Sequence, residues 1–168
     1  MRYLVVGSAI IVVLIVAVVI VGYTLPVKHR AIRSAVIHAS QAQLAAMIGD
    51  VGHYAEWRNG VKRVELISTN DTSRRYGEQS SDGTIEYVMD TAGSPSRIVT
   101  TISGGVRAFG GRWTYDLAPR GETTALQITE DGEVYNPLFR FIARFIIGQT
   151  ATIDRYFSDL QRRIAAQS

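Results

Sequence analysis

The sequence predicts an α+β domain in which a seven-stranded antiparallel sheet surrounds one long C-terminal helix, preceded by a single transmembrane helix. Three observations predict it. From Tyr3 to Val27 there is no Lys, Arg, Asp or Glu, and most residues are Val, Ile, Leu or Ala. Between about residues 61 and 134, short strand-like runs alternate with turn residues. From Asn136-Pro137 onward, apolar side chains recur at three- and four-residue steps.

The first segment is long enough to span a bilayer core, which takes about 20 apolar residues. It exceeds the apolar run of a cleaved signal peptide, and its n-region is only Met1-Arg2. No small-x-small cleavage site precedes the exit at Gly22-Tyr23-Thr24-Leu25-Pro26, so the segment reads as an uncleaved anchor. Tyr3 and Tyr23 lie near its ends, where aromatic belts form. The expected organisation is an anchor over 1–27, touching lipid through residues 3–24, and one domain over 28–168. Lys28, Arg30 and Arg33 outnumber Arg2 across the span, so a single-pass membrane protein with a cytoplasmic domain is expected.

Within the domain, Ile32, Val36 and Ile37 predict a strand over His29–Ala39. Ser40 is a good N-cap for a helix over Gln41–Ile48, whose Leu44, Met47 and Ile48 have helical spacing. Gly49-Asp50 stop it, and a helical turn fits His53–Trp57. Strands follow at about 61–69, 73–80, 84–92, 96–103, 109–118 and 123–134. Their separators carry turn chemistry: Asn70-Asp71, Asp82-Gly83, Gly93-Ser94-Pro95, Gly104-Gly105 and Arg120-Gly121. Asn136 then caps a helix with Pro137 in its first position, running to about Ala166 with Gly148 as a candidate bend. A sheet needs one face covered, and this is the only large apolar helix in the domain. A sheet curled around one helix leaves room between them for apolar ligands.

Three passages resemble the START-like superfamily, the helix-grip fold of polyketide cyclases, birch-pollen-type (Bet v 1-like) allergens and coenzyme Q-binding proteins. They are Gly49-Asp50-Val51-Gly52-His53-Tyr54-Ala55-Glu56-Trp57-Arg58, Gly110-Gly111-Arg112-Trp113-Thr114-Tyr115, and Ile128-Thr129-Glu130-Asp131-Gly132-Glu133-Val134 with Asn136-Pro137. The resemblance covers roughly residues 29–165 and implies the helix-grip fold. For function it implies a group of carriers, cyclases, hydrolases and regulators.

Strand alternation selects the site candidates. Tyr76, Glu78, Tyr87, Tyr115 and Glu130 are expected to face the interior as polar handles. Met89, Trp113, Leu138, Phe141, Ile142 and Phe145 are expected to line the apolar wall with Tyr87 and Tyr115. No catalytic residue is assigned. A buried carboxyl at Glu78 or Glu130 would be the candidate acid or base. Trp57 reads as core, and Arg58 as core-adjacent or a head-group contact. Arg140 and Arg144 share a helix face that suits either water or lipid phosphate.

Other chemistries find no support in the pattern. The chain has no cysteine, which removes disulfides and thiolate metal sites. His29, His38 and His53 are not at metal spacing, and no G-x-S-x-G is present. The run Gly104 to Gly111 lacks a phosphate-loop ending and reads as a turn with a bulge, with Val106 and Phe109 at a lip. A net charge of +3 is too small to indicate nucleic acid. No cofactor is expected. The expected partner is a lipid or other hydrophobic small molecule. An interior Glu/Tyr enzyme of the cyclase or hydrolase kind, or a module that binds a protein partner, is the alternative.

Overall fold

The computed structural model describes residues 2–167 apart from 82, 92–93 and 106–107; the side chains of Arg2, Leu4 and Val5 are also outside the description. Turn residues Asp82 and Gly93 and lip residue Val106 thus lie outside the described residues. The chain begins with one helix, α1 (Arg2–Thr24). Its Val6–Thr24 portion has a mean hydropathy of 2.9 and is 6% buried, and is long and apolar enough to cross a membrane.

Seven strands follow: β1 (Lys28–Ile37), β2 (Arg63–Thr69), β3 (Ser73–Ser80), β4 (Gly83–Asp90), β5 (Arg97–Gly104), β6 (Phe109–Arg120) and β7 (Thr123–Val134). They form one antiparallel sheet in the order β1-β7-β6-β5-β4-β3-β2. Six sequential strands pair as hairpin neighbours, and β1 joins the edge made by β7. This is the predicted sheet, with ends moved by a residue or two. Strand β1 stops at Ile37 rather than Ala39 because Ala39 N–H turns back to the Ile37 carbonyl at 2.9 Å. The Thr124 hydroxyl then takes up the Ala39 carbonyl at 2.8 Å.

Between β1 and β2 lie α2 (Gln41–Gly49), a 3-10 turn over Val51–His53, and α3 (Tyr54–Trp57). Ser40 and Gln43 form a capping box: the Ser40 hydroxyl accepts from Gln43 N–H, and Gln43 Oε1 accepts from Ser40 N–H. The helices bury Leu44, Ile48, Val51, Tyr54 and Trp57 against the sheet end.

The predicted single helix from Pro137 to about Ala166 is instead two helices. Helix α4 (Pro137–Ile142) has Asn136 as its cap and passes into a π-helical turn over Ala143–Ile147. Gly148 N–H closes that turn on the Ala143 carbonyl, and Gly148 itself has φ +88°. That backbone conformation ends a helix and is easy only for glycine. Helix α5 (Ala151–Ala165) starts after this break. It buries Ile153, Tyr156, Phe157 and Leu160 against the sheet. Arg33 on β1 holds its start through Asp154 at 2.9 Å and Thr150 at 3.0 Å. Asp159, buried within α5, accepts from the backbone and side chain of Asn59 at 2.8 and 2.9 Å. Helix α4 packs instead on α1. A Cβ on Gly22 would lie 2.1 Å from the Pro137 carbonyl oxygen, so only glycine permits that approach.

This division of labour sets two stability expectations. Leu160→Ala, at a fully buried α5 position, should lower unfolding free energy by about 2–5 kcal/mol. Phe139→Ala, on the exposed side of α4, should change it by no more than about 0.5 kcal/mol. Denaturant unfolding of the full chain in detergent measures both.

Candidate functional site

Directly opposed residues in a sheet point to the same face. The register opposes Tyr76 to Tyr87, Glu78 to Ile85, Met89 to Thr100, and Trp113 to both Thr100 and Glu130. Tyr115 opposes Ile98 and Ile128. Seven predicted site residues therefore share one face: Tyr76, Glu78, Tyr87, Met89, Trp113, Tyr115 and Glu130. It is the face covered by α5, because the Tyr156 ring lies 5.7 Å from those of both Trp113 and Tyr115.

The half of this face beneath α3 and α5 is filled. Arg58 enters it from the end of α3 and pairs with Glu78. Its guanidinium lies 4.6 Å from the Tyr54 ring and 5.4 Å from the Tyr156 ring. Tyr54 and Trp57 meet edge to face at 5.5 Å, and Tyr76 stacks on Tyr87 at 5.4 Å. Trp57 is core, as its position beside the short helices suggested. The sequence reading missed that Arg58 is the partner of Glu78. The only signal was an arginine following a core tryptophan.

Burial pushes the phenols of Tyr54, Tyr76, Tyr115 and Tyr156 well above their ordinary range, and raises that of Tyr87. They are therefore neutral and not phenolate bases: Tyr54 donates to the Ile48 carbonyl, and the buried Tyr156 hydroxyl has no hydrogen-bond partner among the described residues. Burial is the largest single influence on Arg58 and works against its charge, but Glu78 together with Tyr54, Tyr115 and Tyr156 outweighs it and the guanidinium pKa is raised. Glu78 is thus committed to a charge pair.

The other half of the face, toward α1, is different. Helix α5 starts beside Arg33, bonded to it through Asp154 and Thr150, and Ala31 just beyond on β1 is still buried. His29, Tyr87, Ile102, Trp113 and Glu130 are not fully buried there, the His29 and Glu130 side chains keeping 15% and 18% of their surface exposed. His29 Nε2 stands 3.6 Å from Glu130 Oε1. Glu130 Oε2 and Thr100 Oγ1 are buried yet have no hydrogen-bond partner. Such orphaned groups are rare because each forfeits its hydration without recompense. Gly111, Gly132 and His29 oppose one another across three strands. A Cβ on Gly132 would come within 2.2 Å of the His29 ring, and one on Gly111 within 2.3 Å of the Asp131 carbonyl oxygen. Two adjacent positions without side chains keep this part of the wall low.

Leu138, Phe141, Ile142 and Phe145 do not join this group of seven. They lie on α4 and the π turn beside α1, where Phe141 and Phe145 meet at 4.9 Å. No ring contact links Phe141 or Phe145 to Trp113 or Tyr87 among the described residues, although α4 also touches β7. Phe109, placed at the lip from the sequence, is half-buried. Two clefts open at the opposite end of the domain, away from the predicted residues. One of about 380 Å³ lies among His38, Gln43, Met47, His53, Trp57 and Arg163. The other, about 280 Å³, lies between Ala55–Asn59 and Arg162–Ala166.

The pair and the histidine give separate expectations. Arg58→Met leaves the Glu78 carboxyl group without its partner and should destabilise the protein by about 3 kcal/mol, whereas Arg58→Met with Glu78→Leu should recover most of that. Chemical denaturation of the two variants checks this. His53 has its pKa raised by a hydrogen bond to Asp50 and by the charges of Asp50 and Glu56. A raised folded-state pKa stabilises most below about pH 6.5 and is lost as pH rises through the higher value. The thermal midpoint should fall across that window, and Asp50→Asn should flatten the fall.

Residues 28–165 match the family described as polyketide cyclase / dehydrase and lipid transport. No curated protein matches the chain. Among solved structures, a START superfamily protein from Mycobacterium smegmatis is similar at TM-score 0.67 and 18% identity, covering 83% of this chain and 99% of the other. The Zhui aromatase/cyclase from a Streptomyces strain is similar at TM-score 0.67 and 12% identity, covering 82% and 96%. Norcoclaurine synthase from Thalictrum flavum, solved with dopamine and hydroxybenzaldehyde, is similar at TM-score 0.63 and 10% identity, covering 84% and 89%. At these identities the structures speak for the fold alone. With its sheet closed on α5 and its family match over nearly the whole domain, the chain belongs to the polyketide cyclase / dehydrase and lipid transport family and has the α+β helix-grip fold.

Proposed function

We propose that this protein is a membrane-anchored binding module that holds a hydrophobic small molecule or lipid against the inner face of its sheet. One observation carries this reading. The part of that face nearest α1 is less closed than the part beneath α5, and it presents Tyr87 and Ile102 beside Trp113, whose ring also meets Tyr156 of α5, with the unpartnered Glu130 Oε2 and Thr100 Oγ1. An apolar wall with a few unsatisfied polar atoms is the composition of a small-molecule site. Burying roughly 100 Å² of apolar surface there contributes about 2.5 kcal/mol before the costs of association. Glu130 and Thr100 supply the contacts that orient a ligand hydroxyl or carbonyl.

The membrane part of the reading rests on α1. Its apolar span is almost wholly exposed, which water does not tolerate and a bilayer does. A cytoplasmic domain follows from Lys28, Arg30 and Arg33. Each lies close to an acidic partner, Glu133, Asp131 and Asp154 respectively. The positive-inside rule counts Lys and Arg rather than net charge, so these pairs do not cancel the bias.

A second reading, an enzyme of the cyclase or hydrolase kind, is supported by His29 beside Glu130. Glu78 is occupied by Arg58 and the tyrosines stay neutral, so proton transfer in such an enzyme would fall to Glu130 and His29.

Native mass spectrometry of the full chain, released from detergent, tests the binding reading by detecting a retained apolar molecule. Trp113→Ala should weaken retention by about tenfold or more, the equivalent of ~1.4 kcal/mol. Glu130→Gln should keep an apolar ligand bound but stop turnover if the second reading holds. Protein that is empty with every apolar probe would sink the binding reading.

A further inference from the structure

We propose that the segment Leu138–Ile147 is a wedge inserted into the bilayer interface, so that the domain rests among lipid acyl chains beside α1 rather than hanging below them. This rests on α1 being a membrane span, as proposed above. The segment reads Leu-Phe-Arg-Phe-Ile-Ala-Arg-Phe-Ile-Ile. Phe139, Phe145, Ile146 and Ile147 are 45%, 59%, 71% and 60% exposed. Single exposed apolar residues are ordinary, but four large ones within nine positions form a patch that needs a partner.

Three contacts fix the position of the patch. Pro137 abuts Gly22, two residues before the end of α1. Arg140 Nη1 donates to the Leu25 carbonyl at 2.7 Å. The Arg140 guanidinium lies 6.0 Å from the Tyr23 ring. In the same two turns of α1, Val18, Val19 and Gly22 are the residues shielded from solvent. At a rise of 1.5 Å per residue, Gly22 lies roughly 5 Å inside the Leu25 exit. A segment starting at that depth cannot remain in water if α1 crosses a membrane.

Charge agrees with a lipid surface as the occupant. No acidic residue occurs between Glu133 and Asp154. Arg140 is used internally, tying α4 to the exit of α1. Arg144 is exposed and has no ion-pair partner among the described residues, which leaves it for a lipid phosphate. The wedge follows β7 almost directly, so the less closed part of the inner sheet face opens close to lipid.

The chain has no cysteine, which makes single-site labelling straightforward. An environment-sensitive fluorophore can be placed by Ile146→Cys, Val13→Cys or Glu65→Cys in the full chain. Each variant is reconstituted in phosphatidylcholine/phosphatidylglycerol vesicles with nitroxide-labelled lipid. The wedge predicts strong lipid quenching at 146 and 13, and none at 65. Quenching at 13 with a label at 146 open to aqueous iodide leaves the anchor standing and overturns the wedge. A label at 146 shielded from both quenchers, with shielding that fades on dilution of protein in lipid, means a second copy covers the patch and also overturns it. Absence of lipid quenching at 13 refutes the anchor and the wedge together.

Discussion

Gly148 leaves the right-handed helical region at φ +88°, and the whole arrangement of the C-terminal part depends on that departure. Had the chain continued as one helix, the apolar stripe from Leu138 to Ile164 would have followed one axis. The break separates two tasks instead. Helix α5 seals the inner face of the sheet with Ile153, Tyr156, Phe157 and Leu160. The segment before it turns away to α1, where Gly22 is bare enough to receive Pro137. The less closed part of the inner face and the exposed apolar patch both follow a break whose backbone angle a β-carbon would strain.

Inside the sealed half, electrostatics and packing reinforce each other. Arg58 keeps its charge because Glu78 lies beside it and because the rings of Tyr54 and Tyr156 flank its guanidinium. The buried phenols stay neutral and add no competing charge. A region so filled has little room for a ligand. The space for one lies toward α1, where Gly111 and Gly132 remove two side chains and Glu130 and Thr100 keep polar atoms unpaired.

Much of this was legible in the sequence. Turn chemistry and period-two alternation located the strands to within a residue or two, and alternation alone put Tyr76, Glu78, Tyr87, Tyr115 and Glu130 on one face. Local patterns report such features well because pleat and turn geometry are local. Asn136-Pro137 marked the start of α4 for the same reason. What the sequence did not carry was long-range. Leu138, Phe141, Ile142 and Phe145 have a helical stripe whichever surface they meet, and the stripe gave no sign that α4 would pack beside α1 and leave Leu138 and Phe145 exposed. Gly148 was visible as a bend, but its positive φ, and so the full break between α4 and α5, was not. The Arg58–Glu78 pair joins residues from different elements, and neither residue's neighbours in sequence announce the other.

The central claim is that a ligand occupies the α1-proximal half of the inner face and not the sealed half or the distal clefts. The chain has two tryptophans, Trp57 in the sealed half and Trp113 at the boundary of the open one. Fluorotryptophan NMR of the full chain in lipid nanodiscs, titrated with apolar aromatic and lipid probes, reads both positions at once. The account predicts a saturable shift of the Trp113 resonance while that of Trp57 stays in place. A shift at Trp57 alone, or none at either with every probe, would contradict it.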